Sequence, residues 1–544
     1  MANYNSTYFQ KKVGVSQPKP GRENEMKKNL AGGYAFKADD FTALRRWLLT
    51  GSMTNAYYQN SREMTTGNLS TLIKCVNGDP KRTAEEILYA SNKGINNHTP
   101  ILALVYLSNG SYPAKAEFRS IFNKVIRTAS HLYEFMSYVK SVRGMGKTIH
   151  KAVLGWIESK ELSEREYQFL KYQNRNGWTG RDVFRTVKPV PTMPAEDVLY
   201  AWIAGNESKA NVQALAEANL MRIEAYERLK MGVTEAEAIQ IIHDFNMTQE
   251  MIPANIERTK DVWKALFQRM PLTASLRNLA NLTSKGVFED KENLNLLEAR
   301  FEKENLRKGR LHPLTIANGY YTYMQGHGMK GSLTWKPINR VNDILDQAVN
   351  DAFEVLEPTG KSYFHALDIS GSMNWGGFGG FYRGMGVGNL ALDPMQVAGI
   401  MALATVKAEK DYFVGGFSHY FIELPKLNKR TSFQDVMTGK HVAGLNFGGT
   451  NASLGYKYAT ANKIPVDVFV SWTDNMSWLG DHPSDALAEY RSKVNPEARA
   501  VYVTIAAYSD NITLVDPKDN RSYDIAGFST ETPKLIQLIA EGTL

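Results

Sequence analysis

Five oxygen-bearing residues in the last third of the chain have the types and spacing of a hard-cation site. Asp368-Ile369-Ser370-Gly371-Ser372 sets a carboxylate and two hydroxyls at alternate positions, which a turning loop can aim at one point. Thr450 follows Gly448-Gly449, and Asp474 ends an apolar run over 466–473. Three hydroxyls and two carboxylates suit octahedral Mg²⁺ that keeps waters or one exchangeable ligand. Mn²⁺ fits the same donors. Asp and Ser in loops also serve as turn and capping residues; it is the combination of three segments that favours a cation. A nucleophile paired with a base is missing. There is no H-E-x-x-H, G-x-S-x-G or C-x-x-C, and His312, His327 and His365 are scattered. A metal alone does not make a hydrolase, so the chain is read as a non-enzyme.

A second chemistry is polyanion binding. Lys171-Tyr172-Gln173-Asn174-Arg175-Asn176-Gly177-Trp178, with Arg181 and Arg185 beyond it, interleaves cations that hold phosphates with rings that stack bases. The competing reading is a helix, a Gly-centred turn and a second helix with Trp178 as core anchor. We assign Trp178 to the core, and Lys171 and Arg175 to RNA. Lys303, Arg307, Lys308, Arg310 and His312 form a second basic cluster, which could equally be a solvated helix end. Charge distribution agrees with a basic first domain: residues 361–544 hold 16 Lys+Arg and 18 Asp+Glu, so the net +8 of the chain comes from a +10 excess over 1–360. Gly144-Met145-Gly146-Lys147-Thr148 is not a P-loop, since Ser141 stands where the first Gly is required and a helix, not a strand, precedes it. The Gly-rich 376–388 reads as an insertion or a contact loop.

These residues need elements to position them. With 544 residues, 43% of them hydrophobic and 22% charged, the chain is globular and large enough for two domains or more. Residues 1–25 are polar and predict a flexible leader or extended arm. Apolar spacing near 3.6 recurs over 41–49, 83–90, 115–126, 131–139, 164–171, 212–225 and 234–245, with Thr83 and Ser163 as expected caps. So many helical pairs over 26–360 bury their faces best by stacking into an α-solenoid. After Glu357-Pro358-Thr359-Gly360 strands and helices alternate, with strands at 362–368, 411–417, 466–473 and 498–506 and helices at 394–410, 451–461, 484–493 and 533–540. Residues 361–544 therefore read as a doubly wound α/β domain, whose ligands sit at the carboxyl ends of its strands. The lone Cys75, the polar start and the absence of an 18-residue apolar run point to a reducing compartment and no membrane, hence the cytoplasm.

Two resemblances sharpen this. The triple at Asp368/Ser370/Ser372, Thr450 and Asp474 resembles the metal-ion-dependent adhesion site of von Willebrand factor A domains, which implies that these five are direct or water-mediated ligands and that the site captures a partner's carboxylate. From about Lys37 onward the chain resembles the TROVE-domain family of the Ro sixty-kilodalton autoantigen. LRRWLLTGS (44–52), KYQNRNGW (171–178), VWKALFQRMPLTASLRNLANLTS (262–284), RLHPLTIANGYYTYMQGHGMKGSLTWKP (310–337), EPTGK (357–361) and TDNMSWLGDHPSDALAEYR (473–491) carry that resemblance. It implies a monomeric ring of HEAT-like repeats closed by the von Willebrand factor A-like domain. It also implies binding of small noncoding Y-like RNAs on the outer surface and of misfolded structured RNAs by a 3′ single-stranded end. An exoribonuclease is then an expected partner, and noncoding RNA quality control the expected role. Lys171 and Arg175 match family positions for Y RNA. The family's histidine just downstream has no counterpart in Arg185-Thr186-Val187-Lys188-Pro189, and the Gly-rich 376–388 departs from the animal pattern. The alternative is a metal-dependent protein-interaction scaffold on which RNA is incidental.

Overall fold

The computed structural model describes residues 17, 22–50, 61–94, 97–309, 311, 313–328, 332–353, 357–373, 392–442, 445, 448–505, 512–526 and 532–543. Arg310, His312 and the Gly-rich 376–388 lie outside the described residues.

Helices fill the first part. Pro80–Lys93, Tyr112–Val125, Lys147–Glu158 and Gly180–Val187 touch one after another and form one layer. Ser61–Gly78, His98–Asn109 and Ala129–Val142 run in the same sequence as the layer behind. Each helix turns an apolar stripe inward, such as Ala114, Phe118, Ile121, Phe122 and Val125, so only stacking on the next hairpin removes that stripe from water. Buried residues accordingly form one continuous core from Ala35 to Ala540. Cys75 is buried in the helix Ser61–Gly78, where burial pushes its thiol up to about 12.

Several local expectations need correction. The helix starting before Thr83 is capped by Asp79, whose side chain accepts from Arg82 N, with Pro80 at its first position. Ser163 is no cap: the helix Leu162–Lys171 follows Glu161. Glu166 is drawn away to a different helix, accepting from Arg222 N at 2.8 Å and Ile223 N at 3.1 Å at the start of Met221–Met231. That capping splits the expected 212–225 helix into Val212–Glu217 and Met221–Met231, with Asn219 between them at φ 56°, a conformation Asn tolerates. Within 1–25, expected as a flexible leader or an extended arm, the described residues are Gln17 and Arg22–Glu25, and they are anchored. Gln17 is buried and donates its N–H to Trp478 O, and Arg22 pairs with Asp516.

Eleven strands are described: β1 (Met26–Lys28), β2 (Tyr34–Lys37), β3 (Asn174–Arg175), β4 (Trp178–Thr179), β5 (Tyr363–Asp368), β6 (Tyr412–Phe417), β7 (Phe421–Glu423), β8 (Val468–Thr473), β9 (Arg499–Thr504), β10 (Ile512–Thr513) and β11 (Ser522–Ala526). The main sheet has the order β11-β9-β8-β5-β6-β7, parallel throughout except for β7. Its central strands are buried at every position, as in β5 and β8. The helix Pro394–Ala408 is buried on nearly all sides, which explains the most apolar stretch of the sequence. No described helix is long and apolar enough to cross a membrane. Strands β7, β10 and β11 had no counterpart in the sequence reading because each is short or polar.

The α/β domain grips both ends of the helical array. At the near end β2 pairs antiparallel with β10, and the guanidinium of buried Arg46 reaches Ile512 O and Asp524. At the far end Phe353 stacks on Phe433 at 5.8 Å, and Lys407 donates to Asn350 at 2.9 Å. The expected ring of helical repeats closed by an α/β domain is the observed architecture.

Candidate functional site

The oxygen cluster sits where the strand order reverses. Strand β5 leads across the helix Pro394–Ala408 to β6 on one side, whereas β8 joins its other side, so the loops after β5 and β8 part at their carboxyl ends. Asp368 is the last residue of β5 and Asp474 the first after β8. Backbone hydrogen bonds draw in the third loop: Gly371 N–H donates to Gly448 O, and the N–H groups of Trp478 and Leu479 donate to Thr450 O. Asp368, Ser370, Ser372, Thr450 and Asp474 are all buried.

The hydrogen bonds fix each donor. Asp368 Oδ1 accepts from Ser370 N at 3.0 Å, and its Oδ2 accepts from the Thr473 hydroxyl at 2.9 Å. The Ser370 and Ser372 hydroxyls lie 3.0 Å apart. Asp474 Oδ1 accepts from Met476 N at 2.9 Å. Burial, and behind it the charge of Asp474, pushes the Asp368 carboxyl far above the usual carboxylate range. Two buried, mutually repelling carboxylates beside converging hydroxyls are a donor set that a hard divalent cation neutralises. Among the described residues no cluster of three or more His, Cys, Asp and Glu is placed to bind a metal, so a cation held here would need hydroxyl oxygens as well. Thr473, which orients Asp368, was not singled out in the sequence. Its only signal is its place before Asp474.

The basic surface is assembled differently from expectation. Lys171 ends the helix Leu162–Lys171, half-buried, with Nζ on the Tyr167 hydroxyl at 3.0 Å and over the Tyr167 and Tyr172 rings. The chain then forms a β-hairpin rather than a helical turn. Asn176 and Gly177 take φ 50° and 75°, the two-residue turn that an Asn-Gly pair favours, and pair Arg175 with Trp178. Arg175 stands exposed in β3 beside Glu134. Burial works against ionisation of Glu134, yet hydrogen bonds from His98 and Tyr138 hold its carboxyl below the ordinary value. Trp178 is half-buried against the core. Arg181 and Arg185 are exposed on the next helix. Arg307 and Lys308 belong to the separate helix Lys303–Gly309, where Lys308 pairs with Glu304. The helix Ala129–Val142, not a strand, precedes Gly144–Thr148, in keeping with the rejection of a P-loop.

The TROVE domain model matches residues 27–320, more than half of the chain, and the Ro60 vWA domain model matches residues 362–540. This chain belongs to the TROVE family. Two curated relatives carry the name RNA-binding protein RO60. The one from Caenorhabditis elegans is 28% identical over 95% of this chain and 90% of its own. The one from Deinococcus radiodurans is 26% identical over 97% and 98%. The crystal structure of the Deinococcus radiodurans RO (RSR) protein covers 93% of this TROVE chain with a TM-score of 0.67 at 25% identity.

Proposed function

We propose that this protein binds structured noncoding RNA, of the small Y-like and the misfolded kinds, and acts in RNA quality control or as the RNA-holding partner of an exoribonuclease. The observation that carries this reading is a closed helical array with the chain's entire basic excess, joined to a near-neutral α/β domain. The RO60 relatives named as RNA-binding proteins support it. Duplex parts of the RNA rest on the outer cations, Lys171 and Arg175 among them, and are recognised by shape. A 3′ single-stranded end enters the centre of the ring. Asp368, Ser370, Ser372, Thr450 and Asp474 would hold Mg²⁺ or Mn²⁺, which supplies an open coordination position for a partner's carboxylate; no chemical turnover is assigned to it. The protein works as a monomeric ring in the cytoplasm.

Gel-shift titration with a structured RNA bearing a 3′ tail tests this. Expected is tight binding that weakens steeply with salt, because neutralised phosphates release counterions. Binding no stronger than to a neutral polymer, or indifferent to salt, overturns it. The oxygen cluster favours a second reading, a metal-dependent protein scaffold, which co-purification free of nucleic acid at low salt would select.

A further inference from the structure

The ring has two seams, and they are not equivalent. At the far one the chain itself passes from the helix Asn339–Ala352 to β5, so the two sides cannot part. At the near one the helical array and the α/β domain meet only through non-covalent contacts. Two residue pairs join β2 to β10, Lys37 with Ile512 and Phe36 with Thr513, and so short a ladder is marginal on its own. Whatever fixes the near seam decides whether the ring is closed.

What fixes it is the loop that leaves β8. Thr473, Asp474 and Asn475 are consecutive and serve three different partners. Thr473 donates its hydroxyl hydrogen to Asp368 Oδ2 at 2.9 Å and accepts the Asn475 N–H at 3.1 Å. Asp474 belongs to the oxygen cluster. Asn475, buried and left-handed at φ 64°, grips both sides of the seam. Its Nδ2 donates to Thr504 Oγ1 at 2.9 Å and to Ile512 O at 3.3 Å, and its main-chain oxygen accepts from Asn29 Nδ2 at 3.3 Å. Buried Arg46 reaches the same Ile512 O from the helical array at 2.9 Å. A continuous run of hydrogen bonds thus links an Asp368 oxygen to Asn29 and Arg46 through Thr473 and Asn475. The Thr450 loop is tied to the same segment: Ser477 Oγ accepts the Ala452 N–H at 3.1 Å, and Trp478 gives its N–H to Thr450 O while its own oxygen accepts the Gln17 N–H.

Charge decides how firmly this loop is seated. Two buried carboxylates at one point repel. Asp368 ends a strand that is paired on both sides, with β6 and β8, whereas Asp474 opens a loop outside the sheet. The loop is therefore the part that yields. It also carries Asn475, and a left-handed residue of this kind persists only where its surroundings over-determine it. A divalent cation between the two carboxylates replaces their repulsion with attraction.

We propose that the oxygen cluster is the fastener of the ring: a divalent cation held by Asp368 and Asp474 seats residues 473–479 and thereby secures the seam between β2 and β10. This rests on the reading of the cluster as a Mg²⁺ or Mn²⁺ site. A ring secured at both seams admits only a free strand end, whereas one parted at the near seam admits a strand from the side. Duplex RNA on Lys171 and Arg175, which belong to other elements, is held in either state.

The test is hydrogen–deuterium exchange of the full chain, free of divalent ions and at saturating Mg²⁺ with ionic strength matched, beside calorimetry of Mg²⁺ binding. With Mg²⁺, exchange at 26–37 and 512–513 should slow more than ~10-fold, a usual strength of coupling between sites. Exchange of the far-seam helix Asn339–Ala352 should change less than ~2-fold, because local opening is confined to its own cooperative unit. In Asp474→Ala the slowing should vanish. Coupling is reciprocal, so loosening the seam must weaken the cation. Asn29→Asp keeps the Oδ1 that accepts from Ala31 N and Gly33 N but removes the donor to Asn475 O and Ser477 O. It should speed exchange at 512–513 and weaken Mg²⁺ about 5-fold or more, although its negative charge alone would tighten binding. Heat of Mg²⁺ binding with unchanged exchange at the near seam overturns the fastener and leaves the metal site intact. Equal slowing at both seams, or slowing that Asp474→Ala retains, also overturns the fastener. So does unchanged Mg²⁺ affinity in a folded Asn29→Asp chain whose near seam exchanges faster; should that variant not fold, exchange of the unaltered chain decides. Neither heat nor slowing overturns the site and the fastener together.

Discussion

Asn29 donates its side-chain Nδ2–H to the main-chain oxygen of Ser477 at 2.8 Å. Asn29 belongs to the turn that joins β1 and β2 at the start of the helical array, and Ser477 lies three residues past Asp474. The same amide also reaches Asn475 O, while Gln17 N–H holds Trp478 O. One loop thus presents a carboxylate to the oxygen cluster on one side and its carbonyls to the first hairpin on the other.

This junction tolerates no added bulk. A Cβ on Gly33 would sit 2.0 Å from Ser477 O. Gly33→Ala is therefore expected to cost about 3 kcal/mol, at the upper end of overpacking penalties. Thermal denaturation measures this, and limited proteolysis should show faster cleavage near β2. Gly78→Ala, at a helix end with nothing within 4 Å, should be neutral.

The proposed Mg²⁺ site would need both carboxylates. Asp368→Ala and Asp474→Ala should each abolish the heat of Mg²⁺ binding in calorimetry while changing RNA affinity less than ~2-fold. For the unaltered chain, Mg²⁺ at a hundred times its dissociation constant should add about 2.7 kcal/mol of stability. A Tm indifferent to Mg²⁺ would exclude a folded-state site.

Lys171→Ala combined with Arg175→Ala should weaken RNA binding and lower its salt dependence by about two phosphate contacts. Stability should change by about 1 kcal/mol at most, because Arg175 is exposed and Lys171, half-buried at a helix end, gives up one hydrogen bond to Tyr167. An unchanged dissociation constant would remove these two residues from the interface.

Acid should destabilise the fold through buried histidines. Burial lowers His131, His441 and His482 to about 4 and His365 to about 3. Unfolded histidine takes up a proton near pH 6.5, whereas these stay neutral in the fold. Their contribution is complete above pH 6.5 and is lost as pH falls toward 4. Denaturation followed between pH 7 and pH 4.5 should show a falling midpoint, with uptake of about four protons per chain on unfolding near pH 5. A flat profile would contradict the burial of these rings.

The long helices and the parallel strands were legible because their periods are strong. Continuous apolar runs made β5, β8 and β9 visible, and a Gly-Gly-Thr before a helix pointed to the third loop of the oxygen cluster. What escaped was decided across the chain. Glu166 satisfies N–H groups 56 residues away, so its place three after Ser163 was misleading. The Asn176-Gly177 hairpin was hidden inside a segment read for its charges. Arg175 is seated beside a Glu134, His98 and Tyr138 group that no local spacing reveals. Strand β10, two residues long, gains its place only from β2.

The pairing of Phe36 with Thr513 has a consequence for synthesis. A ribosome delivers the helical hairpins first, and each can dock on its predecessor as it emerges. The clasp is delivered almost five hundred residues later. Until translation is nearly finished the nascent protein is an arch with an unpaired strand edge at β2, vulnerable to mispairing. A message truncated before codon 512 would leave it that way permanently.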